Sequence, residues 1–174
     1  MSSTSPRADT SAAPHSLPGD VEHRVRRWPG WASSLARLVA AGVWAWAGVA
    51  KMSDPDAAVR AVGAYRALPG FLIHPVAWGL PFAELAIAAL LVLGVANRAA
   101  ASVGAGLLVV FIAGITQAWA RNLQISCGCF GGGGPARADS AVFAAEVGRD
   151  LAFLALHAWL IWRPASRLAL NLDR

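Results

Sequence analysis

Charge is scarce in this chain. Asp, Glu, Lys and Arg make up 14% of its 174 residues against 56% hydrophobic, and the mean hydropathy is +0.49. The apolar residues are also gathered into long runs, which excludes an ordinary soluble domain. Cysteine is scarce as well. The two present, Cys127 and Cys129, cannot make a disulfide scaffold, and a pair this close together closes almost no chain entropy. Outside the N-terminal stretch the only histidines are His74 and His157, so two thiols make at most half of a four-ligand zinc site, to be completed by another chain. No internal repeat is present. What remains is one domain's worth of chain with the composition of an integral membrane protein. The formal charge of +5 and a pI near 10.6 would suggest nucleic acid in a soluble protein. Here the arginines flank hydrophobic segments, where anchoring and orientation explain them, so no nucleic-acid partner is expected.

Residues 1–30 are rich in Ser, Pro, Ala and charge without apolar periodicity, and are expected to form a disordered cytoplasmic tail. Four hydrophobic spans follow at about 31–51, 75–96, 99–120 and 141–162, making a membrane domain over 31–163 with a short tail over 164–174. Arg37, near the start of the first span, is placed to snorkel to the headgroups, and Trp28 and Trp31 sit where interfacial aromatics belong. Ala45-Trp46-Ala47 resembles a signal-peptidase site, but the polar leader before it is too long, so the segment is expected to stay uncleaved. Between spans one and two, Ser53-Asp54-Pro55-Asp56 is a helix start, with a polar cap, proline at the first helical position and an acid in the first turn. Val59, Val62 and Tyr65 or Arg66 then recur at helical spacing until Pro69-Gly70. This predicts a short amphipathic helix on the membrane surface. A tight turn is predicted at Asn97-Arg98, and Gly104, Gly106 and Gly114 of the third span allow close helix contact. The fold class is therefore all-α, a four-helix membrane bundle with a short interfacial helix.

Orientation follows from Lys and Arg on the two sides, nine against six in favour of the side that carries both termini. The weight lies with Arg24, Arg26 and Arg27 beside the first span. This puts the termini in the cytoplasm and the cysteines on the extracytoplasmic face of the plasma membrane, where disulfides persist.

Cys127-Gly128-Cys129, followed by Phe130 and Gly131 to Gly134, is the stretch that carries chemistry. Thiols one residue apart form a small, strained ring when oxidised, and such disulfides are exchange-competent. The intervening glycine permits the turn, and the glycine run predicts a mobile loop with Cys129 the more exposed thiol. A structural disulfide, two inert thiols or a shared zinc site are the bland readings. Charges inside the spans form the second feature. Glu84 and Arg149 fall at matching depth, about 13 Å from the outer surface at 1.5 Å per residue, and are expected to pair, because an unpaired charge there costs several kcal/mol. Lys51 and Asp150 complete a polar cluster below the loop, and a cation there would favour the reactive thiolate. The structural alternative pairs Glu146 with Arg149 within one helix. Tyr65 and the eight tryptophans read as interfacial anchors.

These residues resemble a known family in order along the chain. Gly48-Val-Ala-Lys51 with Asp54-Pro55, Tyr65 with Leu68-Pro69, Pro81-Phe-Ala-Glu84, Cys127-Gly-Cys129-Phe-Gly131 and Arg149-Asp150-Leu151 resemble the MauE/DoxX family of redox-associated membrane proteins, over about residues 35–162. The Cys-Gly-Cys-Phe-Gly loop is the mark of its MauE branch. The resemblance implies a four-helix membrane bundle that assists maturation of methylamine dehydrogenase, a disulfide-rich exported enzyme, with a thioredoxin-like extracytoplasmic partner. The family is similar in design to quinone-linked disulfide oxidases, which relay electrons through two cysteine pairs. This chain has one, so a quinone is expected to be reached only through a partner. Three functions from different classes follow: thiol–disulfide oxidoreductase activity with a partner protein, non-catalytic assembly or anchoring with a structural cysteine pair, and transport through the Glu84/Arg149 cluster. Four spans without inverted repeats disfavour the last.

Overall fold

The computed structural model describes residues 30–130, 133–135, 137 and 139–162. The sequence expectations for both tails, for Trp28 and for Gly131 and Gly132 lie outside the described residues. Five helices follow in order: α1 Gly30–Ser53, α2 Pro55–Ala64, α3 Gly70–Leu93, α4 Asn97–Ala120 and α5 Ser140–Trp162. Two short strands, β1 Ile125–Ser126 and β2 Gly134–Pro135, pair antiparallel between α4 and α5, Ile125 opposite Pro135 and Ser126 opposite Gly134. Among the described residues the regular structure is all-helical apart from this clasp around the cysteine loop.

Among the described residues three helices are long and apolar enough to cross a membrane: Ala32–Ser53, Gly70–Leu93 and Asn97–Ala120. At 1.5 Å rise per residue each exceeds the ~30 Å hydrocarbon core. Their outward faces carry Leu35, Val39, Trp46, Trp78, Phe82, Val92, Val103 and Val110, all exposed. Water would penalise that surface and lipid does not, so the chain is a multi-pass membrane protein. Helix α5 matches the others in length but carries Glu146, Arg149 and Asp150 in its first half.

The boundaries differ from expectation in two places. Helix α3 starts at Gly70, five residues before Pro75, with Pro69 as its N-cap; Pro75 then lies inside the helix past its first turn, where it leaves the Phe71 carbonyl without the usual donor four residues on. The turn before α4 is at Gly94, which takes a left-handed conformation (φ 71°) and ends α3. Asn97 and Arg98 are already helical. The start of α2 is as its sequence implies: Asp54 accepts a hydrogen bond from the Ala57 N–H at 2.8 Å, with Pro55 at the first position. Its buried stripe is Ala57, Ala58 and Ala61, whose small side chains let it lie close on α3 and on the β clasp.

Helix α1 packs chiefly on α3, and α4 chiefly on α5. The main core joins Trp44, Ile87, Leu91, Leu108 and Leu160, and a second cluster of Ile115, Ala118, Ile125 and Phe143 seats the loop. Arg37 is only 2% exposed, so it turns into the bundle rather than snorkelling outward. The small, buried Ser33 and Ser34, one turn earlier on the same face, make room for it. Gly48 lets α1 and α3 touch: a Cβ there would lie 2.8 Å from Leu85 Cγ and 3.1 Å from the Pro81 carbonyl oxygen. Since the carbonyl belongs to a helix backbone, Gly48→Ala is expected to push the helices apart and cost about 1–3 kcal/mol. Thermal unfolding in detergent checks this, and an unchanged midpoint would contradict the contact.

Candidate functional site

The loop after α4 does not project outward. Asn122 takes a left-handed turn (φ 53°) and the chain folds back so that Cys127 to Phe130 lie among α1, α2 and α5. Gly128 has φ 68°, and a Cβ on it would lie 2.8 Å from Ala61 Cβ and 2.9 Å from Gly133 Cα. Both the conformation and the space demand glycine between the cysteines. Cys129, expected to be the more exposed thiol, is the more buried one at 9% exposure, while Cys127 is half-buried. The reason is that α2 and Gly133 cover the loop from one side and the helix bundle from the other.

Lys51 fixes this position. Its ammonium donates to Glu84 Oε1 at 2.8 Å and Oε2 at 3.1 Å, to the Cys129 carbonyl at 2.7 Å and to the Ala47 carbonyl at 3.5 Å. Lys51 is 6% and Glu84 0% exposed. The partner of Glu84 is thus Lys51 and not Arg149. Arg149 instead holds its sequence neighbour, Nε and Nη2 both donating to Asp150 Oδ1 at 3.0 and 2.9 Å. Two separate ion pairs flank the loop where one mixed cluster was expected.

The sulfur of Cys127 receives the remaining donors. Arg149 Nη2 lies 3.6 Å away and the Cys129 N–H 3.4 Å. The guanidinium carbon also lies 4.8 Å from the centre of the Phe130 ring, so the loop and Arg149 orient each other. The hydrogen bond from the Cys129 thiol, helped by the Cys129 N–H and Arg149, lowers Cys127 to about pH 7 against the opposing effect of burial. Cys129 is pushed up, first by that same hydrogen bond and then by burial. One thiol is therefore a thiolate near neutrality and the other stays protonated.

Three neighbours were not singled out as site residues from sequence. Tyr65, read as an anchor, donates its hydroxyl to the Cys127 carbonyl at 3.1 Å, and burial keeps it protonated. Its place in the ordered motif set was the one signal for it. Glu146 accepts from the Cys127 N–H at 3.3 Å. Trp44, also read as an anchor, is buried and donates Nε1–H to His157 Nε2 at 2.9 Å, while His157 Nδ1 faces the Phe153 carbonyl at 2.8 Å. Indole only donates and a carbonyl only accepts, so this imidazole is neutral with its proton on Nδ1. Gly104 makes room for the pair, since a Cβ there would lie 2.7 Å from His157 Nε2. A crevice with a cavity of about 20 Å³ runs from Cys129 and Asp150 to Trp44 and His157 between apolar walls. That is the scale of a water molecule rather than a quinone ring. Among the described residues no group of three His, Cys, Asp or Glu is arranged to hold a metal ion.

Helices clothed in outward apolar residues define a multi-pass membrane protein, and the dithiol loop clamped by two ion pairs narrows the class. The chain belongs to the family described as methylamine utilisation protein MauE, which matches residues 29–163. It is 37% identical over 96 residues to the methylamine utilization protein MauE of Methylophilus methylotrophus. That stretch covers 55% of this chain and 50% of the relative's length. No solved structure matches the chain.

Two outcomes are expected. Alkylation of Cys127 should rise with pH through a midpoint near 7, and Arg149→Gln should move that midpoint upward, because it removes a donor to the thiolate. A midpoint unmoved by the substitution would contradict the contact. Glu84→Gln and Lys51→Met should each destabilise the protein by about 3–5 kcal/mol by stranding a buried charge or its partners, and the double variant Lys51→Met, Glu84→Leu should cost less than either. Denaturant or thermal unfolding in detergent reads both.

Proposed function

We propose that this protein is a membrane thiol–disulfide exchange component in which Cys127 attacks a partner disulfide and Cys129 resolves the mixed disulfide. The observation that carries the reading is the asymmetry of the pair. Cys127 is half-buried, with its sulfur facing Arg149 and the Cys129 N–H, while Cys129 is buried behind it. Attack requires an accessible thiolate, and resolution requires a second thiol held within reach but shielded from outside reagents.

The setting is a four-span bundle in the plasma membrane, α5 being the fourth span and α2 lying at the interface above it. Pairing Arg149 with Asp150 and tucking both against the loop lowers the cost of burying charge in α5. Both termini, including the tails over 1–30 and 164–174, face the cytoplasm and the cysteine loop faces the extracytoplasmic side. The partner is a thioredoxin-like extracytoplasmic protein, and the end product is an exported, disulfide-containing protein of methylamine metabolism such as methylamine dehydrogenase. The family membership and the name of the Methylophilus relative support that last step. Any quinone is reached through the partner.

A non-catalytic assembly subunit is the rival reading. One observation favours it: Lys51 and Tyr65 grip the backbone carbonyls of Cys129 and Cys127, and those bonds do not need sulfur. The two readings part on one experiment. In intact cells Cys129→Ser should trap a mixed disulfide through Cys127, Cys127→Ser should not, and a membrane-impermeant alkylating reagent should reach Cys127. Trapping by neither variant, with function kept in the double serine variant, would leave the assembly role.

A further inference from the structure

Asp150 uses only one of its carboxylate oxygens. Both Arg149 bonds converge on Oδ1, whereas Oδ2 has no hydrogen-bond partner among the described residues, although the side chain is only 3% exposed. A carboxylate offers about four acceptor sites, and leaving them empty in a buried position is costly. Asp150 and Cys129 line the same crevice, whose other walls include Trp44, Leu108, Phe111, Phe153 and His157. The cavity is the size of one water molecule and its walls are mostly apolar, so few acceptors for a proton lie there besides Asp150.

We infer that Asp150 is the proton acceptor for Cys129 in the resolving step, an assignment that rests on the exchange reading above. In that step the Cys129 S–H bond breaks and its proton passes to Asp150 Oδ2. The Cys129 sulfur forms a bond to Cys127 Sγ, the bond from Cys127 Sγ to the partner sulfur breaks, and the partner leaves as a thiolate with the electron pair. The partner disulfide is reduced to a dithiol and the Cys127–Cys129 dithiol is oxidised. In reverse, protonated Asp150 returns the proton as Cys129 leaves.

The two thiols need such help unequally. Cys127 is a thiolate near neutrality without a base, but Cys129 is held protonated, the Asp150 charge adding to that effect. Two other carboxylates lie near the loop, but Glu146 Oε1 accepts from the Cys127 N–H, both Glu84 oxygens accept from Lys51, and neither residue lines the crevice. The ionisable groups that act on Asp150 or feel its charge are Arg149 and Glu146 on its own helix, Cys129 on the loop, and Tyr65 after α2. Helices α1 and α4 present only uncharged side chains to the crevice, and His157 is neutral by its hydrogen bonds.

The test is stopped-flow reaction of the reduced, full-length protein in detergent with dithio-bis-nitrobenzoate, an aromatic disulfide that releases a coloured thiolate. The first release reports attack by Cys127 and the second reports resolution by Cys129. Asp150→Asn should keep a first phase and slow the second by about 100-fold, with the slowed rate rising roughly tenfold per pH unit as hydroxide replaces the base. Asp150→Glu should restore the second phase, and in the wild type that phase should vary little near neutral pH. A second phase unchanged in Asp150→Asn, or both phases slowed alike, would overturn the assignment. If Asp150→Asn does not fold, the wild-type pH profile decides: a tenfold rise per unit rules out an internal base. Loss of the first phase in the wild type would overturn the exchange reading itself, whereas a normal first phase with an unaltered second would overturn only the role of Asp150.

Discussion

The Lys51 ammonium is the point on which the site depends. It lies in the last turn of α1 and reaches three elements at once: Glu84 in the middle of α3, its own helix at Ala47, and the cysteine loop at the Cys129 carbonyl. An ammonium has three N–H bonds, and all are used. In a low-dielectric surrounding a buried pair of this kind contributes little net stability, since desolvation offsets the attraction, but breaking it is costly. Its contribution is therefore positional. The loop cannot swing out without leaving a buried cation short of an acceptor. Gly48, one turn earlier, sets the separation of α1 and α3 that lets lysine and glutamate meet.

With the backbone held from one side, the chemistry of the two sulfurs is set from the other. Arg149 donates to Cys127 Sγ, so its hydrogen bond favours a thiolate on that sulfur, while burial and the bond to Cys127 outweigh its charge at Cys129. The Cys129 N–H points at the same sulfur because Gly128 takes a left-handed conformation that no other residue adopts at so little cost. Spacing of one residue then makes the difference between the thiols self-reinforcing: the proton that Cys129 shares with Cys127 stabilises a thiolate on Cys127 and is harder to remove from Cys129. Phe130 beneath the guanidinium and Tyr65 on the Cys127 carbonyl keep the geometry from relaxing.

Much of this was legible in the sequence, and the exceptions have physical causes. Long apolar runs identify membrane helices because hydropathy over about 20 residues is a strong signal; hence the helical class and the presence of Lys51, Glu84, Arg149 and Asp150 near the loop were readable. Their pairing was not. Depth along a helix depends on where the helix starts, and α3 starts at Gly70 rather than Pro75, so Glu84 lies deeper from its helix start than Arg149 does from Ser140. Nor does a glycine-rich loop disclose whether it projects or tucks inward; that was decided by Ala57, Ala58 and Ala61, whose smallness is a packing signal only once the neighbour is known. Trp44 shows the same limit. A tryptophan in a span reads as an interfacial anchor, and only the facing His157, 113 residues away, makes it a buried donor.

The two ion pairs are chemically alike but differently completed. In the first, both Glu84 oxygens accept from Lys51, and the ammonium's third bond goes to the loop backbone. Both carboxylate oxygens and the ammonium are engaged, which suits a clamp. In the second, Arg149 spends two bonds on a single oxygen of Asp150 and turns the same guanidinium to Cys127, leaving Asp150 Oδ2 without a partner among the described residues on a side chain that lines the same crevice as Cys129. A purely structural pair would be expected to close that vacancy, because a fork of guanidinium donors can serve both carboxylate oxygens. Keeping the second oxygen open costs stability, and that cost falls on the one pair in contact with sulfur. On the proposed reading, labour is divided between a saturated, buried pair that holds the loop and a half-buried, unsaturated pair beside its thiols, which accounts for two ion pairs within reach of one loop.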